Sequence, residues 1–161
     1  MWGRLPKKEG LARRALLALI LREGRDPGLK AIASRLQVSE SATAKLLAAL
    51  ERKGFLVRSK PSKRITAAYP LSTRPTRHRV TLNGEGPGGY ALCAIDALGV
   101  GPAFRATAIA QSDCPHCGRS IRIRVEKNRI MAVEPPSTVV WYSRPGLLLK
   151  GESNVSLVET H

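Results

Sequence analysis

From residue 88 to residue 99 the sequence runs Gly-Gly-Tyr-Ala-Leu-Cys-Ala-Ile-Asp-Ala-Leu-Gly, a stretch apolar enough to demand burial that nevertheless carries a thiol and a carboxylate. A carboxylate taken out of water is costly unless it has a partner or a chemical task. The pattern predicts a helix over residues 90–98, closed by Gly99 as its C-terminal cap. Cys93 and Asp96, at i and i+3, then share one face and can enter one pocket. Spacing alone leaves two readings open. One is a buried structural cysteine beside an aspartate that bonds backbone, since free cysteine is among the most buried residue types; the other is a reactive pair.

The chain of 161 residues has room for one ordinary domain or two small ones, and its 43% hydrophobic and 24% charged content is that of a globular protein rather than a disordered tail. Residues 15–21 form its longest apolar run, which is too short for a membrane span and lacks a cleavage site of small residues. A cytoplasmic protein with no membrane partner is expected. Three cysteines, an odd number, suit reduced thiols used for metal or catalysis better than a disulfide framework.

Charge is unevenly placed. Residues 1–80 hold 19 Lys or Arg against 5 Asp or Glu, a net of +14, whereas residues 81–161 hold 8 against 7, a net of +1. A basic half of this kind attracts polyanions through counterion release and makes duplex DNA a candidate partner.

That half has a helix-turn-helix pattern. Leu11, Ala15, Leu16, Leu19 and Ile20 recur at helical spacing, with Arg13, Arg14 and Arg22 outside the stripe, and Gly24 and Pro27 end the helix. Residues 29–36 form a second helix and residues 37–39 a turn. A third helix spans residues 40–53, capped by Ser39 and stopped by Gly54. A strand over residues 55–57, a basic loop over residues 58–64 and a strand over residues 65–69 resemble the wing of a winged helix. Ser41, Lys45 and Arg52 on the third helix, with Lys60, Lys63 and Arg64 in the wing, are the candidate DNA contacts. They supply phosphate contacts better than base readout, which usually takes Arg, Asn or Gln at the helix start.

Residues 70–78, with two prolines and several basic residues, read as a linker. The chain therefore divides into residues 1–78, a winged-helix-like domain with its linker, and residues 79–161, a small mixed α/β core with antiparallel strands, an α+β fold overall. In the core, residues 79–82 read as a strand, Asn83-Gly84 as a tight turn, and Gly86, Gly88 and Gly89 as a loop leading to the Cys93 helix. Residues 106–110 and 120–125 read as strands around the knuckle Cys114-Pro-His-Cys117, with Ile121, Ile123 and Val125 alternating against Arg122 and Arg124. Residues 129–133 and 138–141 add two more strands. The knuckle has three readings: a structural or redox-sensitive turn, an auxiliary thiol site for a soft metal, or half of a zinc site completed from His116, His78, His161 or Cys93. Trp2 and Leu5 could dock on the core, and the tail from residue 147 is apolar enough to pack.

Val80-Thr-Leu-Asn-Gly84, the segment from Tyr90 to Gly99, Arg105-Ala-Thr107, Cys114-Pro-His-Cys-Gly118 and Ala132-Val-Glu-Pro135 together resemble, in order and spacing, the core of the organomercurial (alkylmercury) lyases. The resemblance implies protonolysis of carbon–mercury bonds, with Cys93 as the metal-binding thiolate, Asp96 as proton carrier and no cofactor. It also implies a second catalytic cysteine further on, yet the sequence has no cysteine after Cys117, and residues 152–161 stand in its place. The core is therefore expected to be shorter than the family's. In that family the N-terminal domain covers the catalytic core.

Mercury is a soft cation that prefers thiolate, so Cys93, Cys114 and Cys117 are the candidate metal ligands. Two functions stay open at this point. One is a lyase acting on an organomercurial; the other is a winged-helix regulator that senses a thiophilic metal or ligand and answers at DNA.

Overall fold

The computed structural model describes residues 5–140. Trp2, Trp141, the tail from residue 147 and His161 lie outside the described residues. The fold is α+β, a winged helix-turn-helix running into a core of antiparallel strands. Helices α1 (Lys7–Glu23), α2 (Gly28–Leu36) and α3 (Glu40–Arg52) come first. Strands β1 (Leu56–Arg58), β2 (Ile65–Ala68), β3 (Leu71–Ser72), β4 (Arg79–Leu82) and β5 (Glu85–Ala91) follow; helix α4 (Ala94–Phe104) then precedes β6 (Ala108–Asp113), β7 (Ser120–Glu126) and β8 (Arg129–Glu134). No helix among the described residues is long and apolar enough to cross a membrane.

The helix ends follow local chemistry. Gly24 takes the left-handed conformation at φ 66° and donates its N–H to the Ile20 carbonyl at 2.7 Å, ending α1. Ser39 accepts the Ala42 N–H at 3.2 Å and starts α3. Asp26 joins the helices to the wing, accepting Gly28 N–H at 3.0 Å and Ile65 N–H at 3.1 Å.

Helix α1 corrects the expected stripe. It begins at Lys7 and leaves Leu11 44% exposed, while Ala12, Leu16, Leu17, Leu19, Ile20 and Leu21 are buried. The stripe is wide because α1 is covered twice, by α2 and α3 on one side and by β5 on the other. Arg13 is drawn into the same contact: its guanidinium lies 5.1 Å from the centre of the Phe55 ring, and Nη2 donates to the Tyr69 carbonyl at 2.9 Å.

All described strands belong to one antiparallel sheet in the order β1-β2-β3-β5-β4-β6-β7-β8. Residues 70–78 are therefore not a plain linker. They contain β3, whose Leu71 and Ser72 are buried and pair with Ala91 and Tyr90, so the sheet runs unbroken from the wing into the core. Asn83 and Gly84 both have positive φ, 52° and 74°, as a two-residue hairpin turn requires. The glycines after them form strand β5 rather than a loop, and residues 138–140 form no strand, Thr138 instead bonding back to the Pro135 carbonyl.

Register places the core. Gly89, Val80, Ala110, Ile123 and Val133 stand opposite one another across five strands and so share a face, as do Leu82, Ala108 and Val125. That face carries α1 and α4, and residues of both helices lie in a single hydrophobic cluster with it. Small residues let the helices approach: a Cβ at Gly101 of α4 would sit 2.9 Å from Ala108 Cβ and 3.0 Å from the Ala106 carbonyl, whereas one at Gly99 would meet nothing within 4 Å.

These two glycines set up a paired test. Gly101→Val should lower stability by about 2 kcal/mol through overpacking. Gly99→Ala should raise it by up to about 1 kcal/mol through helix propensity. Urea midpoints of the two variants check both signs.

Candidate functional site

Strand β5 delivers the chain to Cys93, which is the N-cap of α4 and not part of a helix over residues 90–98. Its backbone is extended (φ −149°, ψ 176°), and its sulfur accepts the Asp96 N–H at 3.4 Å, as a serine oxygen does at a helix start. The expected stop at Gly99 is also absent. The helix passes through Gly99, Gly101 and Pro102 and ends at Arg105, which takes the left-handed conformation. Gly101 sits tight against β6, so packing against the sheet outweighs the poor helix propensity of the glycines.

The pairing of Cys93 with Asp96 nevertheless holds. Cys93 Sγ donates to Asp96 Oδ2 at 3.2 Å, and Asp96 is only 7% exposed while Cys93 is half-buried. Asp96 has a second partner that no local pattern announces: the Tyr69 hydroxyl, from the turn between β2 and β3, donates to its carboxylate. Tyr69 is in turn fastened at its carbonyl by Arg13 of α1. Elements from the helix-turn-helix half thus pack beside Asp96.

Burial governs the electrostatics. It pushes the Asp96 carboxyl above the ordinary carboxylate range, while the hydrogen bonds from Cys93 and Tyr69 pull it back. It also raises the Cys93 thiol, against the Asp96 N–H that favours thiolate, with the Asp96 charge raising it further. The Tyr69 hydroxyl is pushed up to about 12, first by burial and then by the Asp96 charge, so it remains a donor. Asp96 also lies in the first turn of α4, where the helix dipole favours negative charge.

The end of β5, two residues before Cys93, is held by residues 76–78. Thr76 Oγ1 donates to the Ala91 carbonyl at 2.7 Å, Ala91 N–H to the His78 carbonyl at 2.8 Å, and His78 Nδ1 lies 2.8 Å from Ser112 Oγ. His78 is therefore engaged within the protein, and burial lowers its pKa. Among the described residues no three His, Cys, Asp or Glu side chains gather as a metal site, so the structure does not bring Cys93, Cys114 and Cys117 into one cluster or close a zinc site there.

Cys114 and Cys117 flank a tight turn at the tip of the β6–β7 hairpin. Cys114 N–H donates to the Arg119 carbonyl and Gly118 N–H to the Cys114 carbonyl, both at 2.9 Å. The backbone N–H groups of Cys117 and His116 bond the Cys114 sulfur and lower its pKa. Cys117 is exposed. A groove of about 480 Å³ lies away from both thiol sites, on the sheet face opposite α1 and α4, lined among others by Ile109, Arg122, Arg124 and Glu134.

The six candidate DNA contacts Ser41, Lys45, Arg52, Lys60, Lys63 and Arg64 are all exposed, the first three along α3 and the others on the wing. Arg64 also lies 3.7 Å from Asp26.

Fold and site thus define a class: an antiparallel core with a buried carboxylate and a capping thiol, joined to a winged helix-turn-helix. Comparison with known proteins agrees. Residues 71–150 match the family model for alkylmercury lyase, and residues 14–60 match that of the IclR helix-turn-helix domain. Alkylmercury lyases of Staphylococcus epidermidis and Bacillus cereus are 38% identical over 72 and 71 residues, 45% and 44% of this chain but 32% and 31% of theirs. The chain therefore spans about a third of the length of these curated relatives. The crystal structure of the mercury-bound form of MerB2 superposes with a TM-score of 0.60 at 24% identity, covering 83% of this chain and 63% of that one, a likeness of fold.

The raised Asp96 carboxyl carries a pH signature. Below the ordinary value of 3.8 it is neutral whether folded or unfolded and costs nothing. As pH rises through its higher folded value, the unfolded chain ionises first and stability falls. Asp96→Asn should therefore gain in Tm relative to the wild type between pH 4 and neutrality, and thermal melts across that range check it.

Proposed function

We propose that the protein cleaves carbon–mercury bonds by protonolysis, with Cys93 as the thiolate that takes the metal and Asp96 as the proton carrier. The observation that carries this reading is the 3.2 Å contact between Cys93 Sγ and the buried Asp96 Oδ2. Asp96 accepts the Cys93 proton, and the thiolate displaces the outer ligand of an organomercurial, R–Hg–X, to give R–Hg–S. The proton now on Asp96 passes to the carbon as the carbon–mercury bond breaks. This releases R–H, leaves Hg(II) on Cys93 and returns Asp96 to its carboxylate. Burial suits Asp96 to this task because it favours the protonated form. Tyr69, a donor at all ordinary pH, orients the carboxylate.

In this reading residues 79–161 carry the chemistry, and residues 1–78 supply the covering wall and any contact with DNA. The division is one of labour, since the sheet is continuous across it. Cys93→Ser should abolish hydrocarbon release from phenylmercury. Asp96→Asn should keep organomercurial binding while cutting release by about 100-fold or more, as loss of a general acid does. Release that survives Cys93→Ser overturns the assignment.

A second reading is supported by the IclR helix-turn-helix match and by the exposed basic side chains on α3 and the wing. In it the chain is a DNA-binding regulator, and a thiophilic ligand at Cys93 reaches the wing through Tyr69 at the end of β2. Duplex affinity should then fall steeply with salt. Replacing Lys60, Lys63 and Arg64 by Ala should flatten the slope of log K against log salt by about 2 to 3, near one unit for each phosphate no longer neutralised. Absence of binding at moderate salt defeats this reading.

A further inference from the structure

Protonolysis leaves Hg(II) on a single protein thiolate, and a soft cation in that state seeks a second sulfur. The sheet shows where one is held. Strands β5 and β6 both pair antiparallel to β4, so they run in the same direction and end on the same edge. Arg79 of β4 stands opposite Tyr90 of β5 and Gln111 of β6. Cys93 and Cys114 are each three residues further along, separated laterally by the one strand between them, about 10 Å at ordinary strand spacing. His78, just before β4, links the two strand ends: its carbonyl accepts the Ala91 N–H of β5 and its Nδ1 lies 2.8 Å from Ser112 Oγ of β6.

The knuckle itself is built for a cation that needs only two ligands. Its turn is closed by the Cys114–Arg119 and Gly118–Cys114 backbone bonds, and Gly118 takes φ 70° to allow it. The Cys117 thiol and the backbone N–H groups of Cys117 and His116 all act on the Cys114 sulfur. Zinc would ask for four ligands, and among the described residues no third His, Cys, Asp or Glu joins these two as a metal site. Mercuric ion bound by two sulfurs asks for no more.

We propose that Cys114 and Cys117 form a dithiolate site for Hg(II), placed on the same sheet edge as Cys93 so that it takes over the metal left there. The handover rests on the lyase reading for the source of its metal; the site rests on the knuckle's own geometry. The exchange balances without oxidation or reduction. Two mercury–sulfur bonds form at Cys114 and Cys117, the bond to Cys93 breaks, and mercury stays divalent. Of the two protons shed by the knuckle thiols, one returns to Cys93 and the other goes to solvent. Two thiols held in one turn outcompete two separate monothiols because the second bond is made within the chain.

The test uses the full reduced chain loaded with one equivalent of mercuric chloride in excess N-acetylcysteine, followed by a thiol-alkylating reagent and peptide mass spectrometry. Cys114 and Cys117 should be protected and Cys93 alkylated. Cys93→Ser should hold the same equivalent of metal, whereas Cys114→Ser with Cys117→Ser should retain at least about tenfold less after desalting. Protection of Cys93 in place of the knuckle overturns the proposal, as does equal retention by the double variant. Should the double variant fold poorly, single Cys114→Ala and Cys117→Ala variants on the exposed turn replace it, and each should show the same drop in retained metal. Hydrocarbon release from phenylmercury is measured separately. Its absence defeats the lyase reading and with it the handover, while the alkylation pattern with mercuric chloride still decides the site.

Discussion

The buried carboxylate of Asp96 is the constraint around which the rest of the structure is arranged. Desolvation favours its neutral form, while three features favour its charge: the Cys93 thiol, the Tyr69 hydroxyl and the first turn of α4. Burial outweighs them and holds the carboxyl above the ordinary carboxylate range, which in the proposed protonolysis suits a group that carries a proton from sulfur to carbon. Each partner comes from a different element. Cys93 follows β5 and caps α4, and Tyr69 stands between β2 and β3, so the surroundings of Asp96 are assembled only when wing and core share one sheet.

That dependence changes what the helix-turn-helix half is for. Helix α1 lies against β5 and sends Arg13 to the Tyr69 carbonyl, and the cluster of buried side chains crosses from the N-terminal helices into the strands without a break. Burying α1 on two sides explains why so many of its residues are apolar, with Lys7, Lys8, Arg14 and Arg22 left at exposed positions. The same half can therefore hold Tyr69 beside Asp96 with one helix and present Lys45 and Arg52 outward with another. Covering the core and contacting a polyanion use different surfaces and do not compete.

Much of this is legible in the sequence wherever a local rule decides the conformation. The capping serine of α3, the left-handed glycine after α1, the Asn83-Gly84 turn and the alternation of Ile123 and Val125 against arginine each depend on a few neighbouring residues, and each forms as those neighbours dictate. The helix after β5 is harder to place because two local signals point the wrong way. Cysteine is not among the usual capping residues, so the pattern draws the helix start too early, and Gly99 looks like a stop although Gly101 is held by close packing on β6. Tyr69 escapes notice for a different reason. Its hydroxyl acts on a residue 27 positions away, through strand pairing that no window of sequence displays. Arg13 belongs with it, since a cation drawn over Phe55 and onto a carbonyl reads locally as one more charge on a helix surface.

The thiols at the sheet edge differ in the kind of support each receives, and that difference bears on where a soft cation comes to rest. Cys93 is held by burial, by its cap to α4 and by an acidic neighbour, and both burial and the Asp96 charge disfavour its thiolate. In the proposed reaction it serves to pass a proton more than to keep a metal. Cys114 stands at an accessible tip with backbone N–H groups turned to its sulfur and a second cysteine in the same turn. Cys93 and Cys114 therefore offer a soft cation two different environments, one buried beside a carboxylate and one at an accessible tip supported by backbone N–H groups, and in the proposed handover that difference favours movement from the first to the second.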